Sequence, residues 1–301
     1  MSKRETSNVK REASNVKREA CNSNLAVEGR PRPEHIAEAF ARARAEGRAA
    51  LMPYLTLGYP TPRLSLELVE AVVAGGADLV ELGIPFSDPL ADGPTIQRAT
   101  HLALQQGMTV ARCLEMAAEL RVRGVEVPLL FMGYLNPILA YGIEAFVQDS
   151  AQAGIDGFII PDLPPEEADE IEAACRHSGL ALVYLLAPTS AEERIALVVE
   201  RSQGFVYLVS LVGVTGARDS LPPGLVEFVG RVRKATEMPL AVGFGISTPA
   251  QARRVGELAD GVVVGSAILR LVEDEAAVKQ PARKVEDFVR SLRRGLEGRD
   301  G

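Results

Sequence analysis

Two carboxylates eleven residues apart form the pattern in this sequence with the clearest chemical use. Glu81 stands inside an apolar run, with Ala77-Asp78-Leu79-Val80 before it and Leu82-Gly83-Ile84 after it. Loss of water raises the pKa of a carboxyl group in such surroundings toward the range useful for general acid–base work. Asp92 falls in a stretch punctuated by Pro85, Pro89, Gly93 and Pro94, a composition that shapes a loop able to fold back over its strand. One buried and one more solvated carboxylate suit different proton tasks. Each also has a plainer alternative. Glu81 could be half of a structural ion pair, and Asp92 could cap a helix beginning near Thr95.

A second constellation comes late in the chain as three glycine turns: Gly213-Val214-Thr215-Gly216, Gly243-Phe244-Gly245 and Gly265-Ser266. Glycines let backbone N–H groups converge on an anion, and Ser266 adds a hydroxyl at the start of a helix. No Lys or Arg occurs in these motifs, so a phosphate there would be held mostly by amides. Other chemistries lack their residues. His35, His101 and His177 all fall in helical or pre-helical stretches and are expected on the surface. No Lys lies in a strand to form a Schiff base. No His/Asp/Glu cluster has metal-ligand spacing, so no metal site is expected.

Eight short apolar runs must position these groups: Leu51–Thr56, Leu79–Ile84, Val127–Met132, Gly157–Pro161, Ala181–Leu186, Phe205–Val209, Leu240–Val242 and Val262–Val264. Runs of Val, Leu and Ile with little alternation are the mark of parallel strands covered on both faces. Stretches of helical period separate them, among them Leu64–Ala74, Glu166–Arg176 and Glu192–Arg201. Ile36, Phe40 and Ala43 set a further helix before the first strand. The pattern predicts an α/β fold: a single (β/α)8 TIM barrel over residues 33–301 with an extra N-terminal helix. An open doubly wound sheet is the alternative, but no full GxGxxG follows the first strand. In such barrels the chemistry sits at the C-terminal ends of the strands, with phosphate often held after strands seven and eight.

Residues 1–32 are of another kind. SNVKREA (7–13) recurs letter for letter at 14–20, and the segment holds eight basic residues against four acidic ones. It reads as a solvated, disordered basic extension, and two heptads with small seam residues are too few for a coiled coil. The whole chain carries −7, which disfavours a general nucleic-acid binder. No apolar run approaches the ~18 residues of a membrane span, and the start has no apolar core of a secretory signal. Three scattered cysteines (Cys21, Cys113, Cys175) form no disulfide framework, so a cytoplasmic location is expected.

The run Glu81–Ala99 (ELGIPFSDPLADGPTIQRA), the segment PYLTLGYP (53–60), Tyr207–Ser210 with GVTGA (213–217), and Gly243-Phe244-Gly245-Ile246 together resemble tryptophan synthase alpha chains. The resemblance runs from about Pro33 to the C-terminus. It implies a lyase that cleaves indole-3-glycerol phosphate to indole and glyceraldehyde 3-phosphate by a retro-aldol step. Glu81 and Asp92 take the positions of the two catalytic carboxylates. Tyr54, Tyr207, Thr215, Gly216, Gly243, Gly245, Gly265 and Ser266 would line the substrate pocket. No cofactor is implied in this chain, and pyridoxal phosphate is expected in a partner beta chain of an α2β2 heterotetramer. The C-terminal face is the expected docking surface, through Pro89 and through an exposed apolar edge at Tyr134-Leu135-Asn136-Pro137. The repeated extension departs from the family pattern, as do Leu211 and Val212, where some members carry a polar or basic residue. A stand-alone lyase and a non-catalytic regulatory subunit are the competing readings, and the presence of both carboxylates disfavours the second.

Overall fold

The computed structural model describes residues 32–209, 224–243, 245–273 and 280–297. The repeat-bearing extension, Leu211, Val212, Thr215 and Gly216 lie outside the described residues. Helix α1 (Arg32–Ala45) opens with Pro33 in its first turn, where a missing N–H costs nothing. Its apolar face buries Ile36, Phe40 and Ala43. The Phe40 ring lies 5.5 Å from that of Phe205 and closes on Gly261, where a Cβ would come within 2.9 Å of it. The helix thus stoppers the N-terminal end of the barrel.

All strand pairs are parallel. In chain order the strands are β1 (Ala50–Thr56), β2 (Val80–Gly83), β3 (Leu129–Met132), β4 (Gly157–Ile159), β5 (Ala181–Val183), β6 (Leu185–Leu186), β7 (Val206–Val209), β8 (Leu240–Gly243) and β9 (Gly261–Val264). Their spatial order is β5-β4-β3-β2-β1-β9-β8-β7-β6. The sequence predicts one fifth strand over Ala181–Leu186. The structure divides it at Tyr184: β5 pairs with β4, β6 pairs with β7, and the Tyr184 carbonyl accepts from Tyr207 N at 3.0 Å. The two halves are consecutive in the chain, so the expected eight-stranded barrel closes through this residue. A helix follows most strands, including α2 (Pro62–Ala74), α3 (Pro94–Gln105), α4 (Val110–Val122), α5 (Leu135–Tyr141), α6 (Ile143–Gln152), α7 (Asp169–Ser178), α8 (Glu192–Arg201), α9 (Leu225–Ala235), α10 (Pro249–Gly256) and α11 (Ser266–Glu273), and α12 (Pro281–Leu296) ends the described chain. The helix expected from Glu166 begins later, because Pro165–Glu167 form a separate 3₁₀ turn.

One device recurs at the N-terminal ends of the strands. Asp78 N donates to Leu51 O at 2.9 Å, and Leu51 N donates back to the Asp78 carboxylate at 2.8 Å. Asp156 and Leu129 exchange the same two bonds, each at 2.8 Å, and so do Asp260 and Leu240, each at 2.9 Å. An arginine completes every clasp. Arg48 grips Asp78 with two nitrogens at 2.6 and 2.8 Å, Arg121 meets Asp156 at 2.6 Å, and Arg233 meets Asp260. His35 also contacts Asp156, at 3.0 Å, so this histidine is part of the framework rather than a free surface residue. His101 and His177 are exposed as expected. The carboxylate and guanidinium neutralise each other while every carboxylate oxygen finds a partner, the condition under which buried charge is tolerated. This end of the barrel is built for stability, which leaves the other end free for chemistry.

Candidate active site

Register places the key side chains at one level of the barrel. Tyr54 on β1 is paired with Glu81 on β2, and Glu81 with Leu130 on β3. Register partners in parallel strands point to the same face, so Tyr54 and Glu81 enter the lumen together. Two residues on, Thr56 and Gly83 occupy the next layer, and the Tyr54 hydroxyl lies 3.3 Å from Thr56 Oγ1. Tyr207 on β7 enters from the opposite side of the strand order. Both phenol rings need room that only glycine supplies. A Cβ on Gly83 would sit 2.1 Å from the Tyr54 hydroxyl oxygen, and one on Gly243 2.3 Å from that of Tyr207.

Glu81 is fully buried, and neither carboxyl oxygen has a hydrogen-bond partner among the described residues. The ion-pair alternative is therefore not realised there. Burial alone pushes its pKa well above the usual carboxylate range. Asp92 lies in the loop between β2 and α3. Burial pushes it up to about 6, and a hydrogen bond from Tyr134 opposes that rise. Asp92 is not the cap of α3: Gly93 holds that place, and no side chain bonds the helix end. Burial first, and the carboxylates second, push both Tyr54 and Tyr207 upward, so the four groups share one electrostatic neighbourhood.

The glycine turns gather on adjacent strands. Gly243 ends β8, Gly245 follows with φ +79° and open space where a side chain would be, and Gly265 joins β9 to α11, whose first residue is Ser266. The Gly265 carbonyl accepts from Ile268 N at 2.9 Å, which starts the helix there. Helix N-termini present unpaired N–H groups and favour anions. Gly265 has a further duty, because a Cβ on it would lie 3.2 Å from the Tyr54 ring.

The sequence profile of tryptophan synthase alpha chains matches residues 40–297. The chain belongs to the tryptophan synthase alpha chain family. It is 55% identical over 258 residues to the tryptophan synthase alpha chain of Roseiflexus sp. (strain RS-1), covering 86% of this chain and 98% of that one. It is 51% identical over 262 residues to that of Dehalococcoides mccartyi, with 87% and 99% covered. Among solved structures, the tryptophan synthase alpha chain of Legionella pneumophila superposes with a TM-score of 0.81 at 37% identity, covering 89% of this chain and 98% of that one. A tryptophan synthase structure from Mycobacterium tuberculosis gives 0.80 at 40% identity, with 87% and 98% covered. As an alpha chain it is an enzyme subunit of tryptophan biosynthesis, and cleavage of indole-3-glycerol phosphate is the reaction of its family.

Against this alpha-chain frame, the sequence located Glu81, Asp92, Tyr54 and Tyr207 where the structure gathers them. Gly243, Gly245, Gly265 and Ser266 also lie at the C-terminal ends of their strands. One expectation is wrong. Tyr134 is not part of an exposed apolar edge: it is only 6% exposed, and its ring packs 5.5 Å from that of Phe86. Asn136 is exposed, while Leu135, Pro137 and Pro89 are half-buried. Thr56 and Gly83, inside quoted motifs but given no role, are the site residues that sequence reasoning passed over. Their signal was spacing: each stands two residues beyond a site side chain on its own strand, and so on the same face.

Proposed function

We propose that Glu81 is the proton-transfer residue and Asp92 the electrostatic partner in cleavage of indole-3-glycerol phosphate. The observation that carries this reading is a fully buried carboxyl group with no hydrogen-bond partner among the described residues, close to two tyrosines and to a second carboxyl poised near pH 6. Burial keeps Glu81 protonated in the free site, so a proton is ready for indole C3. As C3 takes that proton, positive charge develops on the ring, and ionised Asp92 accepts the indole N–H hydrogen bond and offsets it. The C3–glycerol bond then breaks, its electron pair restoring the indole. The glycerol hydroxyl next to that bond gives its proton to Glu81 and becomes the aldehyde of glyceraldehyde 3-phosphate. Protons balance, and Glu81 ends as it began.

Tyr54 and Tyr207 would bracket the indole, and Gly243, Gly245, Gly265 and Ser266 would hold the phosphate by backbone amides and one hydroxyl, with Thr215 and Gly216 from the neighbouring turn. The partner is a beta chain carrying pyridoxal phosphate, in an α2β2 heterotetramer in the cytoplasm; this chain needs no cofactor of its own. Support for the partner comes from Leu90, 93% exposed in the loop that carries Asp92, at the same end of the barrel as half-buried Pro89 and exposed Asn136. An exposed leucine beside functional residues suits a docking surface.

Glu81→Gln keeps the side chain's shape without its proton. Turnover of indole-3-glycerol phosphate should fall by at least ~100-fold while substrate binding, followed by calorimetry, changes little. A variant retaining more than a tenth of wild-type turnover would remove Glu81 from the role.

A further inference from the structure

Asp92 belongs to a loop with little to hold it. The segment from Pro85 to Gly93 contains no helix or strand, and its internal ties are short-range, such as Asp92 N to Pro89 O at 3.1 Å. A catalytic carboxylate on such a loop needs external anchors to stay within a fraction of an ångström of its station. Two side chains supply them, one on each flank. Gln97 of α3 donates through Nε2 to Asp92 O at 2.9 Å. On the other flank, Ala91 N donates to the Tyr134 hydroxyl oxygen at 2.9 Å.

Tyr134 is itself rigidly placed. Gly133 N bonds Ile159 O on β4 at 3.1 Å, and a Cβ on Gly133 would press on Ile84 at 3.2 Å, so the chain leaves β3 tight against the start of the Asp92 loop. Leu135 N is held by the Asp162 carboxylate at 2.9 Å. The phenol oxygen accepts from Ala91 N, which leaves its own proton free to donate.

We infer that Tyr134 is a positioning residue whose hydroxyl, by accepting from Ala91 N, locks the loop that carries Asp92 and stands ready to donate to the Asp92 carboxylate. This deepens the proposed role of Asp92 and rests on it. The effect is reciprocal: the tyrosine lowers the proton affinity of Asp92, and the carboxylate raises that of the tyrosine. Among the described residues, the titratable groups facing this pair are Tyr54 on β1, Asp162 after β4 and Tyr207 on β7. Among the described residues none of these is a cation, and Tyr134 is the donor there that opposes burial at Asp92.

The test is Tyr134→Phe in the full chain, which keeps the ring against Phe86 and removes only the oxygen. The acid limb of turnover should move up by about one pH unit, so kcat falls about tenfold at pH 6 and recovers to within threefold at pH 8. KM should change less than threefold, and the Ala91 amide should exchange at least tenfold faster. The Asp92 carboxyl carbon, followed by NMR without substrate, should titrate at higher pH. Should the phenylalanine variant fold poorly, 3-fluorotyrosine placed at 134, a stronger donor of the same shape, should move the acid limb downward instead. An unmoved Asp92 titration, or a loss of activity equal at all pH values, overturns the inference. A fully active Asp92→Asn variant would instead defeat the proposed role of Asp92, while the carboxyl titration in Tyr134→Phe would still decide whether the tyrosine governs it.

Discussion

Asp92 and Glu81 respond to the same loss of water with opposite consequences for turnover. In the proposed mechanism Asp92 works as an anion, so activity should fall as pH drops through about 6, where burial has moved its titration. In the same proposal Glu81 works first as an acid, and its raised proton affinity puts the loss of that proton on the alkaline side of the profile. The dependence of kcat on pH should therefore be bell-shaped with an acid limb near 6; a limb near the ordinary carboxylate value of ~4 would mean that Asp92 is not the titrating group. Glu81 was legible in the sequence because a carboxylate flanked directly by Leu79-Val80 and Leu82 inside an apolar run has few uses. Tyr134 was not. In Gly133-Tyr134-Leu135-Asn136-Pro137 the aromatic follows a turn glycine and precedes polar residues, the local look of an exposed edge. What buries it, Phe86 and Ala91, lies more than forty residues earlier in the chain.

At the level of strands and helices, the apolar runs located the barrel to within one or two residues of the observed strands, since a strand covered on both faces leaves an unbroken apolar trace. The aspartate clasps left a weaker trace, as Asp156 and Asp260 stand directly before a strand with nothing local to mark a partner. Each depends on a leucine twenty or more residues away and on an arginine that local sequence does not identify. The clasps differ in burial, and that should rank their contributions. Arg48 is 2% exposed at its side chain and Asp78 9%, whereas Arg44 and Arg233, which hold Asp260, are 63% and 34% exposed. Asp78→Ala leaves the buried Arg48 guanidinium only Glu46 and the Ala49 carbonyl as partners and should cost about 3 kcal/mol. Asp260→Ala should cost markedly less, because water can take over from the lost carboxylate. Urea unfolding of both variants checks the ranking, and a reversal would mean that burial does not control these bonds.

The whole molecule has two unlike poles. One is stoppered by α1 and clasped by aspartates; the other carries the carboxylates, the glycine turns and the exposed Leu90. If a beta chain docks on the second pole, adding it should raise the lyase rate at least tenfold, about 1.4 kcal/mol of barrier, and Leu90→Asp should abolish most of that gain while sparing the isolated rate. Equal rates with and without the partner would favour the stand-alone lyase. The carboxyl of Glu81, unpartnered among the described residues, also bears on how the molecule would fare under artificial selection. A buried polar group with no bond costs about 1–3 kcal/mol, so Glu81→Leu should melt higher than the wild type even as it loses all turnover. A library sorted only for resistance to protease would accumulate aliphatic replacements at this one strand position, and its most durable survivors would be inert.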